Sequence, residues 1–193
     1  MFDKPYSFQK LRNAETLLPD PLRQLNYRFK AKFRTYFVTL DVFSFGIVAI
    51  KYCDVKDKNA HNAYKKIFND GDAFKVITTC LHIMLEYWRQ NPLVSFAFYA
   101  VPRELKETLV EQRKMSKKDA DKFAERYQRV RFIIYEYAML NLFPPQKFIQ
   151  TRDTKNSLYV LLNKKQKKPK TTMRCLGKYL FDNYDMIFEP DEK

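Results

Sequence analysis

One segment of the chain limits the possible folds more than any other. Residues 73–90 contain no proline or glycine, and their apolar side chains fill a broad arc of roughly 200° on an ideal helix. Gly71 and Asp72 precede the segment and Asn91 and Pro92 follow it, which are helix start and stop signals. The segment therefore predicts a central helix that is mostly buried, packed on a sheet and covered by a further element.

The stretch before this helix predicts an antiparallel meander of three strands. In residues 27–34, Tyr, Phe, Ala and Phe alternate with Arg, Lys, Lys and Arg, which is typical of a strand with one buried face and one wet, positively charged face. The phase of the alternation changes after Thr35, so we expect a turn or bulge near residues 34–36. The segments 36–43 and 47–53 then predict the second and third strands.

Further elements follow the central helix. The apolar run at 93–101 predicts a strand in the middle of the sheet, and 147–153 and 157–163 predict two more strands joined by a polar turn. A capping box at Ser116 predicts a second long helix over 117–141. Its predicted apolar face consists of Phe123, Tyr127, Val130, Ile134, Tyr137 and Ala138.

These elements divide the chain into three parts. Residues 1–25 contain three prolines and form an N-terminal arm, with a short helix expected at 7–17. Residues 26–163 form a single α+β domain, in which an antiparallel sheet packs against the buried central helix with the second long helix beside it. Residues 164–193 are a flexible basic linker and a C-terminal docking segment, so the domain carries a basic C-terminal extension.

Composition excludes several classes of function. Three glycines in 193 residues exclude a glycine-rich phosphate loop, and no apolar run is long enough to cross a membrane. The first residues lack the apolar segment of a signal peptide. The cysteines Cys53, Cys80 and Cys175 are far apart, which predicts reduced thiols and a cytoplasmic location.

Positive charge is the strongest functional signal. The formal net charge is +14, and a surplus of this size favours polyanions or acidic partner surfaces. Three clusters carry much of it, on the first strand of the meander, on the second helix and in the lysine run. They are Arg28, Lys30, Lys32 and Arg34; Lys118, Lys122, Arg126 and Arg129; and Lys164, Lys165, Lys167, Lys168 and Lys170.

The clusters predict an accessory protein that binds DNA or RNA through its phosphates, because clustered cations release counterions from a phosphate backbone. Tyr36 and Tyr127 are the aromatic side chains expected to stack on bases beside them. No helix-turn-helix, RNP motif or zinc finger occurs, so the prediction does not include sequence-specific recognition. A lysine run is also ordinary in a solvated linker.

The alternative is a protein-interaction or assembly component of a phage, mobile-element or bacterial defence complex. The high aromatic content and an apolar tail favour it, since such residues dock a protein partner or a second copy of the chain. The tail residues are Leu176, Tyr179, Leu180 and Phe181.

A catalytic or metal site has little support. His82 and Glu86 share a thin polar seam of the central helix with Thr78, where Glu86 has the spacing to orient the imidazole. No spacing supplies the three or four ligands of a zinc site, and Asp70 or Asp72 has the position of a helix cap. The chain is therefore predicted to be non-enzymatic and to need no cofactor or metal.

The order of strands, the helix after Gly71 and Asp72, a further strand and a second helix resembles a family of small, uncharacterised α+β proteins of bacterial and phage genomes. Those proteins have a Gly-Asp…Val-x-x-Thr helix start, then a proline and a strand, then a helix with an arginine before a tyrosine. The resemblance covers residues 27–140 and implies a fold but no activity. The residues that carry it are Gly71, Asp72, Val76, Thr79, Pro92, Arg131 and Tyr135.

Overall fold

A computed structural model gives the fold of the 193-residue chain. Side chains at 14–15, 99, 123–132, 134, 138 and 184 are not described. The backbone is described for residues 4–12, 14–15, 20–60, 71–99, 110, 114–154, 158–184 and 187–190.

Within this part of the chain, eight strands form one sheet and three α-helices pack on it. The strands are β1 (Phe8–Lys10), β2 (Ala14–Glu15), β3 (Arg23–Lys30), β4 (Thr35–Val42), β5 (Ile47–Asp54), β6 (Ser95–Tyr99), β7 (Phe148–Asp153) and β8 (Leu158–Asn163). The helices are α1 (Ala73–Gln90), α2 (Lys117–Leu142) and α3 (Pro169–Tyr184), with a short 3₁₀ helix at Val55–Asp57. The strand order is β1-β3-β4-β5-β6-β8-β7, and β2 also pairs with β3.

The predicted fold class is confirmed at this level, because the chain is mixed α+β and its sheet is mostly antiparallel. β3, β4 and β5 form the expected meander. The one parallel pair among the described strands joins β5 to β6, with α1 in the connection between them. Antiparallel neighbours can be joined by tight turns, whereas parallel neighbours need a crossover of this kind.

The first turn of the meander lies earlier than predicted. β3 ends at Lys30, and the backbone N–H of Ala31 donates to the carbonyl of Arg34 at 2.8 Å to close a turn before β4 begins at Thr35. The expected turn near 34–36 is therefore wrong by about three residues. This shift takes Lys32 and Arg34 off the strand.

α1 and α2 cover one side of the sheet, which we call the front face. α1 begins and ends at the predicted residues, and its apolar side chains join those of the strands in one large cluster. Thr78 is also fully buried, although the sequence placed it in the polar seam, and so is Thr79. The N-terminal arm packs on the side of α1 that carries Thr79, where the Thr79 hydroxyl accepts a hydrogen bond from the Tyr6 backbone N–H at 3.0 Å.

The helix caps were predicted with mixed success. Ser116 caps α2 as expected, because its hydroxyl accepts a hydrogen bond from the Asp119 backbone N–H at 3.2 Å. Asp72 occupies the cap position of α1, but its side chain makes no capping bond and accepts one from the Tyr6 hydroxyl at 2.9 Å. Asp70 lies outside the described residues.

The buried face of α2 also differs from the predicted one where its side chains are described. Tyr137 was expected to face the core and is 51% exposed. Tyr135 and Met139 are buried instead, against the strand residues Phe98 and Phe148 among others. The C-terminal half of α2 is apolar around most of its circumference, so its periodicity did not select one face.

α3 covers part of the opposite side of the sheet, which we call the back face. Leu176 and Leu180 pack with Ile47, Leu158 and Val160, and the Tyr179 ring meets the Phe43 ring edge-on at 4.7 Å between centroids. Three of the four apolar tail residues are thus used within the chain.

The N-terminal arm contributes strands and not the expected helix at 7–17. β1 and β2 both pair antiparallel with β3. Tyr6 stacks on Phe29 at 5.9 Å between ring centroids, and the Lys75 ammonium lies 4.3 Å from the Tyr6 ring centroid. The pairing and these ring contacts attach the arm to the domain.

Candidate nucleic-acid interface

Strand alternation decides on which side of the sheet the basic residues of β3 lie. Tyr27 and Phe29 belong to the cluster under α1 and α2, so Arg28 and Lys30 project from the back face. Both side chains are exposed. This is also the side on which α3 packs.

The other two members of the predicted strand cluster do not continue this row. Lys32 lies in the turn after β3, where its ammonium sits 4.9 Å from the centroid of the Phe33 ring. Arg34 forms an ion pair with the buried carboxylate of Asp54 at 3.2 Å. The predicted face of four adjacent strand cations is therefore wrong, because the strand ends at Lys30.

The same shift exchanges the roles of two aromatic residues. Tyr36, expected to be exposed for base stacking, is 3% exposed and stacks on Phe29 inside the core. Phe33, expected on the buried side of the strand, is 64% exposed at the tip of the turn. The side chain of Tyr127 is outside the described residues.

The lysine run is held in place and is not the flexible link that was expected. The Lys164 backbone N–H donates to the carbonyl of Lys147 at 2.9 Å. The amide oxygen of Gln166 accepts a hydrogen bond from the Ser95 hydroxyl at 3.1 Å. Gly46 has a positive φ of 79°, and a Cβ atom there would lie 2.6 Å from the Gln166 amide nitrogen. These contacts fix the basic turn against the β4–β5 hairpin.

α3 continues the basic turn as a stripe of positive charge. Lys170, Arg174 and Lys178 are spaced by four residues and are all exposed, so they lie along one face of the helix. Lys170 was part of the predicted lysine run, but Arg174 and Lys178 were missed. Their spacing of four residues was the signal that could have identified them once a helix was assumed.

We call the turn and this stripe together the basic ridge. Between residues 164 and 181 the sequence has seven cationic side chains and no Asp or Glu. None of the seven forms an ion pair with another described residue. The members of the basic ridge are Lys164, Lys165, Lys167, Lys168, Lys170, Arg174 and Lys178.

The helix cluster lies on the other side of the molecule. α2 packs on the front face, and the side chains of Lys118 and Lys122 are exposed there. Arg126 and Arg129 belong to α2, but their side chains are outside the described residues. The back side of the sheet therefore carries Arg28 and Lys30 of the predicted strand cluster together with α3, which includes Lys170 of the lysine run, whereas α2 packs on the front face.

The polar seam of α1 is only half buried at His82 and Glu86. Burial, and then the positive charge of Arg89, lower the pKa of His82. Glu86 acts on a different residue, since burial and then the charge of Glu86 raise the pKa of Tyr27 to about 12. No hydrogen bond joins His82 to Glu86 in the described part of the chain.

The lowered pKa of His82 predicts how the stability of the fold depends on pH. A folded-state pKa below the unfolded value of about 6.5 means that the unfolded chain binds the proton more readily. The contribution of His82 to stability is therefore complete above that value and is lost as the pH falls below it. Urea unfolding at about pH 8 and about pH 5 should show a smaller decrease in the free energy of unfolding for His82→Gln than for the wild type. An equal decrease in both proteins would contradict the expected direction of the shift.

The remaining reactive groups are protected or isolated. The three cysteines are thiols, and Cys53 and Cys80 are buried. Burial, and then the charges of Asp57 and Asp54, raise the pKa of the Cys53 thiol to about 11. Among the described residues, no three His, Cys, Asp or Glu side chains come together as a metal site, and none of the described helices is long and apolar enough to cross a membrane.

A second prediction concerns the carboxylate that supports the β3–β4 turn. Asp54 pairs with Arg34 and also accepts a hydrogen bond from the Lys56 backbone N–H at 2.9 Å, which caps the 3₁₀ helix. Asp54→Ala should lower the free energy of unfolding by about 1–3 kcal/mol, because it removes the buried carboxylate that accepts from both the Arg34 guanidinium and the Lys56 backbone N–H. Asp54→Asn keeps an oxygen acceptor and should cost less. Equal stability of Asp54→Ala and the wild type in urea denaturation would contradict this role.

Comparison of the chain with protein-family models, with curated protein sequences and with solved structures found no match. The resemblance to small bacterial and phage α+β proteins therefore stays a prediction.

Proposed function

We propose that the protein is a non-enzymatic accessory protein that binds nucleic acid through phosphate contacts on its back side. The observation that carries the proposal is the basic ridge, in which seven cations occur without an acidic residue on a fixed turn and a docked helix. Arg28 and Lys30 extend the positive charge to β3 on the same side of the sheet. The proposed location is cytoplasmic, and no cofactor or metal is required.

Fixed cations favour this function for two physical reasons. Each phosphate that a lysine or arginine neutralises releases condensed counterions, and this release gives affinity without base recognition. Side chains on a rigid helix and a hydrogen-bonded turn also lose less conformational freedom on binding than the same residues in a flexible linker. The N-terminal end of α3 adds the partial positive charge of its free backbone N–H groups.

The direct test is binding of labelled DNA and RNA at several salt concentrations. We expect binding at low salt. As the salt concentration rises, log Kd should increase linearly with the logarithm of that concentration, with a slope near 0.9 for each phosphate contacted on a duplex. Failure to bind either nucleic acid at low salt would refute the proposal. A weak salt dependence would contradict the phosphate mechanism.

The alternative is a component of a phage, mobile-element or bacterial defence complex that acts through protein contacts. Leu176, Tyr179 and Leu180 no longer favour it, because they pack against the sheet. Exposed apolar side chains on α2, at Ile133 and Leu140, are the observation that keeps it as a second candidate. A molecular mass in light scattering that rises with concentration, and that Ile133→Glu returns to the monomer value, would favour this alternative.

A further inference from the structure

The β3–β4 turn presents an aromatic ring to solvent among positive charges. Phe33 is 64% exposed at the tip of the turn. Single exposed apolar residues are ordinary on protein surfaces. Two further properties distinguish Phe33, namely the rigidity of the backbone that carries it and the charge of the residues around it.

The backbone of the turn is fixed from both sides. Ala31 is buried in the front-face cluster, and its N–H donates to the Arg34 carbonyl at 2.8 Å. The Arg34 guanidinium pairs with Asp54 at 3.2 Å, and Asp54 is itself held by the N–H of Lys56. Phe33 therefore projects from a preformed tip, and a ligand that binds its ring does not have to order the loop.

The surroundings of the ring select the kind of ligand. Lys32 is exposed beside Phe33, with its ammonium 4.9 Å from the ring centroid, and Lys30 is exposed at the end of β3 where the turn begins. A hydrophobic protein surface closing over this tip would desolvate the two ammonium groups without pairing them, which is costly. A nucleotide offers a flat π surface for the ring and a phosphate for the ammonium groups, so its chemistry complements the tip.

We propose that Phe33 stacks on an unpaired base, so that the preferred substrate is single-stranded nucleic acid or an exposed strand end. This inference rests on the proposed function, because it names the class of nucleic acid that the protein would bind. The bases of an intact duplex are paired and stacked on one another, whereas a single strand leaves base faces free for an aromatic side chain.

The test compares three labelled oligonucleotides of equal length by fluorescence anisotropy at low salt. They are a single strand, the blunt duplex of the same sequence and a single strand of abasic sites that keeps the phosphates. We expect the wild type to bind the ordinary single strand most tightly. Phe33→Ala should raise the Kd for that strand by roughly 5- to 100-fold, the range for loss of one base–aromatic stack. The same variant should leave the Kd for the abasic strand nearly unchanged.

Two further variants separate stacking from other effects. Phe33→Tyr keeps the aromatic ring and should bind like the wild type, whereas Phe33→Leu keeps apolar volume without a π face and should bind like Phe33→Ala. Tyr137→Ala removes another exposed aromatic ring, 51% exposed on α2 and away from the basic ridge, and is the matched control. Because Phe33 is a surface residue, none of its variants should change the thermal unfolding midpoint appreciably.

The outcomes distinguish this inference from the proposed function. Equal binding of the single strand and the duplex, with no effect of Phe33→Ala, would overturn the inference and leave phosphate binding intact. An equal loss for the abasic strand would also overturn it, since that strand has no base to stack. Binding of anionic phosphatidylglycerol vesicles that requires Phe33, with unchanged nucleic-acid binding, would assign the tip to a membrane surface instead. Absence of binding to all three oligonucleotides would overturn the proposed function and this inference together.

Discussion

Reversing three charges along α3 is expected to remove most of the proposed nucleic-acid binding. The variant Lys170→Glu/Arg174→Glu/Lys178→Glu should raise the Kd on the order of 100-fold or more at moderate salt, because it replaces three phosphate contacts with repulsion. The salt slope for a duplex should fall by about 2.7, which is three contacts at about 0.9 each. All three side chains are exposed, so the fold should remain intact.

The matched control changes the net charge by the same amount on the other side of the sheet. Lys117, Lys118 and Lys122 are exposed on α2, and their reversal to Glu should weaken binding far less. Any effect of total charge on long-range attraction is common to the two variants and cancels in the comparison. Equal losses in both would show that binding follows net charge and not the basic ridge.

Truncating the contact between α3 and the sheet should have the largest effect on stability. Leu176 is buried between α3 and the back face, in a cluster with Ile47, Leu158 and Val160. Leu176→Ala should lower the free energy of unfolding by about 2–5 kcal/mol, as buried leucines do when a cavity replaces them. Urea denaturation followed by circular dichroism measures this change.

Phe181→Ala is the control for that experiment, because it removes a larger but exposed side chain from the same helix. Its effect should stay within about 0.5 kcal/mol. Hydrogen exchange adds a second measurement. If α3 lost its protection in Leu176→Ala while global unfolding stayed unchanged, α3 would be an appended element and not part of the cooperative core.

The two experiments test different parts of one arrangement. The basic ridge can act as a surface only while α3 stays docked, since its charges are positioned by Leu176 and Leu180 underneath. We therefore expect Leu176→Ala to weaken binding, because Lys170, Arg174 and Lys178 are no longer held in position. In that background, reversing the three charges should change the Kd less than it does in the wild type. The charge variant by itself should not change stability.

Local signals in the sequence determined the elements that have strong boundaries. The bounds of α1 follow from its wide apolar arc and from Asn91 and Pro92 after it, and the Ser116 cap correctly placed the start of α2. Period-2 alternation and β-branched residues also identified the strands of the meander and the β7–β8 hairpin. These signals depend on residues close to one another in the sequence, and tertiary contacts did not override them.

Where the local pattern was compatible with more than one strand end or more than one buried helix face, only the tertiary structure decided between them. The alternation of residues 27–34 continues through the β3–β4 turn, so it could not show that the strand ends at Lys30 and that Phe33 points to solvent. On α2, apolar residues surround the helix, and packing on Phe98 selected Tyr135 over Tyr137. Register and helix rotation depend on which partner surface is available, and that surface comes from distant parts of the chain.

The sequence by itself determined that the chain is a positively charged α+β protein with a mostly antiparallel sheet. The tertiary structure alone decided which of its charges lie on the same side of the sheet. Alternation along β3 and the docking of α3 put Arg28, Lys30 and the basic ridge on one side of the sheet, and α2 carries its lysines on the other. The physical reason is that a sheet has two faces, and a linear pattern records the alternation between them but not which face a later helix will cover.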